Sequence, residues 1–250
     1  MGRALCRSLT RDGVPFRVLS RDPRRARRRV PGASSYHLWQ PAERGGPWAH
    51  LVEEARAIVH LASPLLASGR WDRVRQQGVY DACVVGTRGM VSALAQASSR
   101  PEVLVCASTV GYYAFDARGV RVSAEEDVPG DDFLSRLTAD WEAEAMRAER
   151  FGVRTVVLRT AMVLGATGAL PLLRRAVRLG LGGASAPGTQ RQPWIHLEDE
   201  VGLLLLALDD RRASGPMNGV APHPVTSAEF MDVLAALIGV PAGVAPPRRL

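Results

Sequence analysis

Apolar residues along the chain fall into short runs that alternate with stretches of helical period. Residues 3–12 put Ala4, Leu5, Ser8 and Leu9 on one helix face, and Asp12-Gly13 stops it. Phe16-Arg17-Val18-Leu19 reads as a short strand ending at Ser20-Arg21-Asp22-Pro23, and a weaker alternation follows at Tyr36-His37-Leu38-Trp39. Pro41 to Pro47 reads as loop. Ala57-Ile58-Val59-His60-Leu61-Ala62 and Val103-Leu104-Val105-Cys106-Ala107-Ser108 are near-continuous apolar runs, the pattern of strands buried on both faces. Between them the spacing predicts a helix over about 72–99. A second helix over 131–150 carries a stripe of Leu134, Leu137, Trp141 and Ala145, and Thr155-Val156-Val157-Leu158 is the next strand. Strand and helix alternate throughout, which predicts an α/β fold: a doubly wound parallel sheet covered on both faces. Beyond residue 160 the pattern loosens. Gly180-Leu181-Gly182-Gly183 predicts a loop and Trp194-Ile195-His196 a short strand. Thr226-Ser227-Ala228-Glu229 is a capping box opening a helix over 227–239. The reading divides the chain into a core over 1–160 and a smaller C-terminal lobe over 161–250 that continues from it.

Composition narrows the function classes. The 250 residues are 46% hydrophobic and 23% charged, as in ordinary α/β proteins. Val201 to Leu208, broken only by Gly202, is far shorter than a membrane span. The residues after Met1 carry no apolar signal segment, and Cys6, Cys83 and Cys106 fit a reduced, cytoplasmic setting. The net charge of +7 raises the question of nucleic acid, with Arg24-Arg25-Ala26-Arg27-Arg28-Arg29 as its main local source. All 32 basic residues are arginine, however, and no aromatics interleave with that run. A coding bias explains this better than a surface that tracks phosphates, so no nucleic-acid partner is expected. The missing lysine also excludes a Walker-type loop, a Schiff base and a lysine-assisted tyrosine. No His, Cys and carboxylate set has metal-ligand spacing.

Several segments together resemble the atypical extended short-chain dehydrogenase/reductases of the epimerase family, which include proteins described as sugar-nucleotide-epimerase-like or cell-division-inhibitor-like. The matching residues run from Val18-Leu19-Ser20-Arg21 and Val59-His60-Leu61-Ala62 through Gly69-Arg70-Trp71 and Gly86-Thr87-Arg88. They continue through Ala107-Ser108-Thr109-Val110-Gly111-Tyr112-Tyr113, Pro129-Gly130-Asp131-Asp132-Phe133-Leu134, Asp140-Trp141-Glu142 and Leu158-Arg159-Thr160. Leu179 to Gly183, Trp194 to Asp199 and Asn218 to Pro222 complete the set. The resemblance implies a Rossmann-type core, a nicotinamide cofactor and hydride transfer at a carbon bearing oxygen.

The chain departs from that family in four places. Members begin with a strand and a Gly-x-x-Gly-x-x-Gly loop, of which Gly2 supplies only the last glycine. Members often carry Ser-Arg where this chain has Ala82-Cys83, and Leu-Ala-Gly where it has Leu61-Ala62-Ser63. They also continue past the proline-rich stretch that here ends in Pro246-Pro247-Arg248-Arg249-Leu250. The expectation is a fold without its first strand and glycine loop, shortened at both ends.

In a Rossmann unit the end of the second strand meets the adenosine ribose. An acid there bonds the 2′-hydroxyl of NAD, whereas an arginine pairs with the 2′-phosphate of NADP. Ser20 and Arg21 occupy that end and favour NADP, with Asp22 as the competing signal. Leu61, Ala62 and Ser63 follow the next strand of the core, where small residues let a dinucleotide pass. Ser108 holds the position of the family's substrate-side serine. Ordinary relatives pair it with Tyr-x-x-x-Lys, whose lysine helps the phenol exchange a proton with the substrate. Counting back from Glu142 puts Thr138 and Leu134 at those two positions, and neither can do that work. Tyr112 and Tyr113 are the nearest phenols, and Tyr112 is taken with Ser108 as the catalytic pair. His196 is read as structural, fixing the turn into the helix led by Glu198 and Asp199.

The expected protein is an NADP-dependent oxidoreductase or epimerase-like enzyme for a small or nucleotide-linked carbonyl or alcohol. A non-catalytic Rossmann-fold sensor or scaffold is the alternative. Small-molecule substrate is the expected partner, with no membrane and with a homodimer left open.

Overall fold

The computed structural model describes residues 1–40, 46–64, 71–116, 118–180 and 188–241. Most of the loop read at Pro41 to Pro47, the pair Gly69-Arg70, the glycines Gly182 and Gly183, and the C-terminal Pro246 to Leu250 lie outside these residues. In chain order the first elements are α1 (Gly2–Arg11), β1 (Arg17–Ser20), α2 (Pro23–Arg29), β2 (Ser35–Leu38), α3 (His50–Glu53) and β3 (Ala57–His60). Then come α4 (Arg73–Tyr80), a π-helical turn (Asp81–Val85), α5 (Gly86–Gln96) and β4 (Val103–Thr109). A 3-10 turn at Val110–Tyr112 leads to α6 (Phe133–Met146), a second 3-10 turn and β5 (Arg154–Thr160). The remainder is β6 (Met162–Leu164), α7 (Ala169–Arg178), β7 (Arg191–Gln192), β8 (Trp194–His196), α8 (Leu197–Asp209), β9 (Gly215–Gly219), β10 (Val225–Thr226) and α9 (Ser227–Ile238).

The main sheet is parallel throughout, in the order β3-β4-β5-β9, and helices cover both of its faces. On one face Leu5 of α1 and Val201, Leu204 and Ala207 of α8 pack on Val103, Val105, Val156 and Leu158. On the other, Val79, Cys83 and Val84 join Leu137, Trp141 and Ala145 of α6 against Cys106, Ala107 and Val157. This two-sided burial is why β4 reads as an unbroken apolar run: Val103 to Ala107 are all buried. Strands β1 and β2 form a separate parallel pair. Among the described residues, β1 pairs only with β2 and β3 only with β4. Among these residues each of β1 and β3 therefore has one edge without a strand partner.

Three differences from the sequence reading have local causes. The helix expected over 72–99 ends at Gln96, because the Ser98 N–H and hydroxyl turn to the Glu53 carboxylate at 2.7 and 2.9 Å. The helix expected over 131–150 starts at Phe133 because Asp132 caps it, accepting from the Ser135 N–H at 2.9 Å. It gives way after Met146 to a 3-10 turn closed by Gly152 in the left-handed region. Helix α2 has no apolar face to announce it; Asp22 caps it and Pro23 opens it. The predicted capping box at Thr226 and Glu229 is present in full. Helices α7 and α9 share a small core of Val177, Leu234 and Ala235, apart from that of the main sheet. Among the described residues no helix is long and apolar enough to cross a membrane.

Candidate functional site

Ligands of open parallel sheets bind beyond the carboxyl ends of the strands, and two groups of residues gather there. The first lies past β1, β2 and β3. Arg21, Trp39, Ala62, Ser63, Pro64 and Ala82 line a cleft of about 80 Å³. Three residues predicted for the cofactor, Arg21, Ala62 and Ser63, are thus brought together. Ser20 is not among the lining residues. Its hydroxyl donates to the Asp22 carbonyl and accepts from the Asp22 N–H at 3.2 Å, which shapes the turn that carries Arg21. Asp22, the rival for a ribose hydroxyl, caps α2 with one carboxylate oxygen, accepting from the Arg25 N–H at 2.8 Å. Gly2 is the first residue of α1, and a Cβ built on it would stand 3.7 Å from Leu61 Cδ1, so these two predicted residues are also neighbours.

Trp39 and Ala82 were not singled out from the sequence as cofactor residues. Trp39 meets His60 edge-on, with ring centroids 5.5 Å apart. His60 is buried, and burial lowers its pKa to about 4, so its ring is neutral; its Nε2 has no hydrogen-bond partner among the described residues. Where relatives often carry an arginine, Cys83 is buried with its Sγ 3.7 Å from Ser63 Oγ. Burial pushes that thiol up to about 11.

The second group lies at the ends of β4, β5 and β9. Ser108 is buried and its hydroxyl donates to the Glu142 carboxylate through a short hydrogen bond. Arg159 grips the same carboxylate with two bonds, Nε to Oε1 at 2.9 Å and Nη2 to Oε2 at 2.8 Å. Both side chains of this ion pair are nearly inaccessible, 3% and 9% exposed. Burial by itself would lower the guanidinium pKa, but the bonds to Glu142 and Tyr113 reverse that and hold it above the usual arginine range. Arg159 Nη1 also donates to the Tyr113 hydroxyl at 2.9 Å and to the Glu125 carbonyl at 3.0 Å. Tyr113 in turn donates to Asn218 Oδ1 at 2.7 Å, and the Asn218 N–H donates to Glu125 Oε1 at 2.9 Å.

The Arg159 guanidinium lies 3.6 Å from the centroid of the Tyr112 ring, a close cation–π stack. The two tyrosines therefore differ. The Tyr113 hydroxyl is committed on both sides, whereas the network grips Tyr112 by its ring face. The α6 positions that hold Tyr and Lys in ordinary relatives are filled otherwise. Leu134 packs on Gly111, coming within 2.5 Å of where a Cβ would stand. Thr138 is buried and its hydroxyl donates to the Leu134 carbonyl at 2.7 Å. Glu142 and Arg159 carried a signal the sequence reading did not use: charged residues inside otherwise buried elements must be paired.

Strand β5 alternates its side chains between the two faces of the sheet. Arg159 faces α6, and Thr160 donates from the opposite face to Glu200 Oε1 at 2.7 Å. Glu200 is buried in the first turn of α8, its Oε2 has no hydrogen-bond partner among the described residues, and burial raises its pKa to about 7. His196 caps α8, accepting from the Glu198 N–H at 3.3 Å, the structural role expected of it. A larger cleft of about 350 Å³ is lined by Arg73, Gln76, Gln77, Tyr80 and Phe133, none of them a predicted site residue. Among the described residues no cluster of three His, Cys, Asp or Glu side chains can hold a metal ion.

The epimerase family protein Mb2239 of Mycobacterium bovis is 35% identical over 221 residues, 88% of this chain and 72% of that protein. The human epimerase family protein SDR39U1 is 33% identical over 244 residues, 96% of this chain and 77% of that protein. A crystal structure of human SDR39U1 (isoform 2) with NADPH superposes with a TM-score of 0.79 at 32% identity, covering 98% of this chain and 79% of that one. The nucleoside-diphosphate sugar epimerase from Corynebacterium glutamicum superposes at 0.70 with 26% identity, over 97% of this chain and 56% of that one. The model of the NAD dependent epimerase/dehydratase family matches residues 1–219. With its parallel sheet, its ligand-side cleft and this agreement along most of its length, the chain belongs to the NAD-dependent epimerase/dehydratase family.

Proposed function

We propose that this protein binds NADP(H) and acts as an oxidoreductase or epimerase-like enzyme on a small or nucleotide-linked carbonyl or alcohol. The observation that carries the reading is Arg21 on the cleft past β1, with one oxygen of the acid beside it, Asp22, engaged in a helix cap. A guanidinium there suits a 2′-phosphate, and the neighbouring Asp22 carboxylate has one oxygen engaged in the α2 cap. The small side chains of Ala62, Ser63 and Ala82 leave room for one end of a dinucleotide, and Gly2 beside Leu61 lets it approach α1. The human relative solved with NADPH points the same way. In this reading residues 1–160 hold the cofactor, 161–250 form the substrate lobe, and the three free cysteines suit the reducing cytoplasm.

A bound nicotinamide supplies or accepts hydride at the substrate carbon. The chain's own residues handle orientation and the proton. We assign the proton to Tyr112, whose ring is fixed on Arg159 while its neighbour Tyr113 is fully bonded. The Ser108 hydroxyl donates its hydrogen to Glu142, so it offers a substrate only lone pairs, which suits accepting from an alcohol O–H. That same commitment favours a second reading, a non-catalytic sensor or scaffold that binds NADP(H) without turnover.

Calorimetry with NADPH and NADH tests the cofactor. NADPH binds at least about tenfold tighter in the wild type, and Arg21→Ala brings the two level, as one charge-assisted bond of about 1.5–3 kcal/mol requires. Equal affinities in the wild type contradict the assignment. Ser108→Ala separates the two readings: the enzyme loses turnover with its NADPH affinity intact, whereas a sensor has no turnover to lose.

A further inference from the structure

The long helix between β3 and β4 changes gauge in the middle. Residues Asp81–Val85 form a π turn, with the Gly86 N–H reaching back to the Asp81 carbonyl. Such wide turns cost backbone geometry and recur at functional sites. This one faces the cofactor cleft: Ala82 lines it, and Cys83 sets its Sγ 3.7 Å from Ser63 Oγ on the cleft's other wall.

A pair of buried side-chain bonds holds the turn. Thr87, fully buried, donates its hydroxyl to the Cys83 carbonyl at 2.6 Å. Its oxygen accepts from Trp141 Nε1 of α6 at 2.9 Å. A threonine hydroxyl has one proton and two lone pairs, so Thr87 serves both partners at once, and valine of nearly the same shape serves neither. Trp141 is followed by Glu142, which holds Ser108 and Arg159. Two successive residues of α6 thus grip the two halves of the site, Trp141 the cleft wall and Glu142 the polar network.

We propose that Thr87 is a positioning residue for the cofactor: by joining Trp141 to the Cys83 carbonyl it fixes the π turn that sets Ala82 and Cys83 against the dinucleotide cleft. This rests on the reading that the cleft binds NADP(H). Thr87 does not touch the cofactor; it acts through the wall that does.

The test titrates NADPH into the whole chain, following nucleotide fluorescence, with melting temperatures measured alongside. Thr87→Val weakens NADPH about tenfold, equivalent to about 1.4 kcal/mol, while Thr87→Ser, which keeps the hydroxyl, restores wild-type affinity. Trp141→Phe keeps an aromatic ring but lacks the donor, and it weakens NADPH in the same direction; it decides the matter should Thr87→Val fail to fold. A general packing role predicts instead that the serine variant, short of a buried methyl, behaves no better than the valine variant. Wild-type affinity in either folded variant, Thr87→Val or Trp141→Phe, overturns the proposal and leaves the cofactor reading standing. A wild-type chain that does not bind NADPH overturns both.

Discussion

The carboxyl ends of β4, β5 and β9 and those of β1, β2 and β3 are built on opposite plans. At the first, every strand is paired, and Ser108, Glu142, Arg159, Tyr113 and Asn218 join in one bonded chain. At the second, two four-residue strands stand apart from the main sheet, α2 buries none of its residues, and the cleft is walled by small or apolar groups beside one arginine. In the proposed reading, polar groups are joined to one another in advance at the end assigned to the proton, whereas the end assigned to the dinucleotide is walled mainly by small and apolar groups. Pre-organised polar groups cost nothing to reorganise when charge develops. An open wall gains its order from what binds, by linkage.

Breaking the ordered end has the largest expected effect. Arg159→Leu strands a buried carboxylate, and such losses run to about 3–5 kcal/mol. Urea unfolding reads it as a lower midpoint. Adding Glu142→Leu removes the orphaned charge and recovers most of the loss. A single variant as stable as the wild type means the pair is not closed in solution.

A smaller effect concerns Glu200, whose Oε2 is without a hydrogen-bond partner among the described residues. Its pKa of about 7 lies above the ordinary 4.5, so the folded state holds the proton more tightly than the unfolded state. Its contribution is therefore full below about pH 4.5 and is lost as pH rises through 7. Glu200→Gln cannot lose a proton. Its stability relative to wild type should climb between pH 4.5 and 7, by about 3 kcal/mol for a shift of this size. A difference that is flat across that window, read from unfolding curves at several pH values, contradicts a buried, titrating Glu200.

The contrast also explains what the sequence disclosed. The apolar runs around Val105 and Val157 gave away the parallel sheet because burial on both faces leaves no polar alternation, and the half-buried run around Val59 shows the same pattern. The place of Arg21 at the cleft was legible because it depends on one strand end alone. Glu142, Arg159 and Tyr113 were not assembled, because their meeting depends on three elements far apart in sequence; what shows along the chain is only a charge where burial is expected. Strand β9 was not read as a strand, since Gly215-Pro216-Met217-Asn218-Gly219 has little intrinsic β preference and pairs only because β5 offers it an edge. The π turn left no mark along the chain, since Trp141, which bonds Thr87 beside it, lies more than fifty residues downstream.

The measurement that bears most directly on the two-plan account is hydrogen exchange with and without NADPH. Without it, amides of 17–20 and 35–38 exchange much faster than those of 103–109 and 154–160, because four-residue strands with one bare edge open at low cost. With NADPH, protection rises at 17–22, 35–39, 57–63 and 79–87 and changes little at 103–109 and 154–160. Protection that rises only at 103–109 and 154–160, or uniform exchange across both regions before the cofactor is added, would contradict the account.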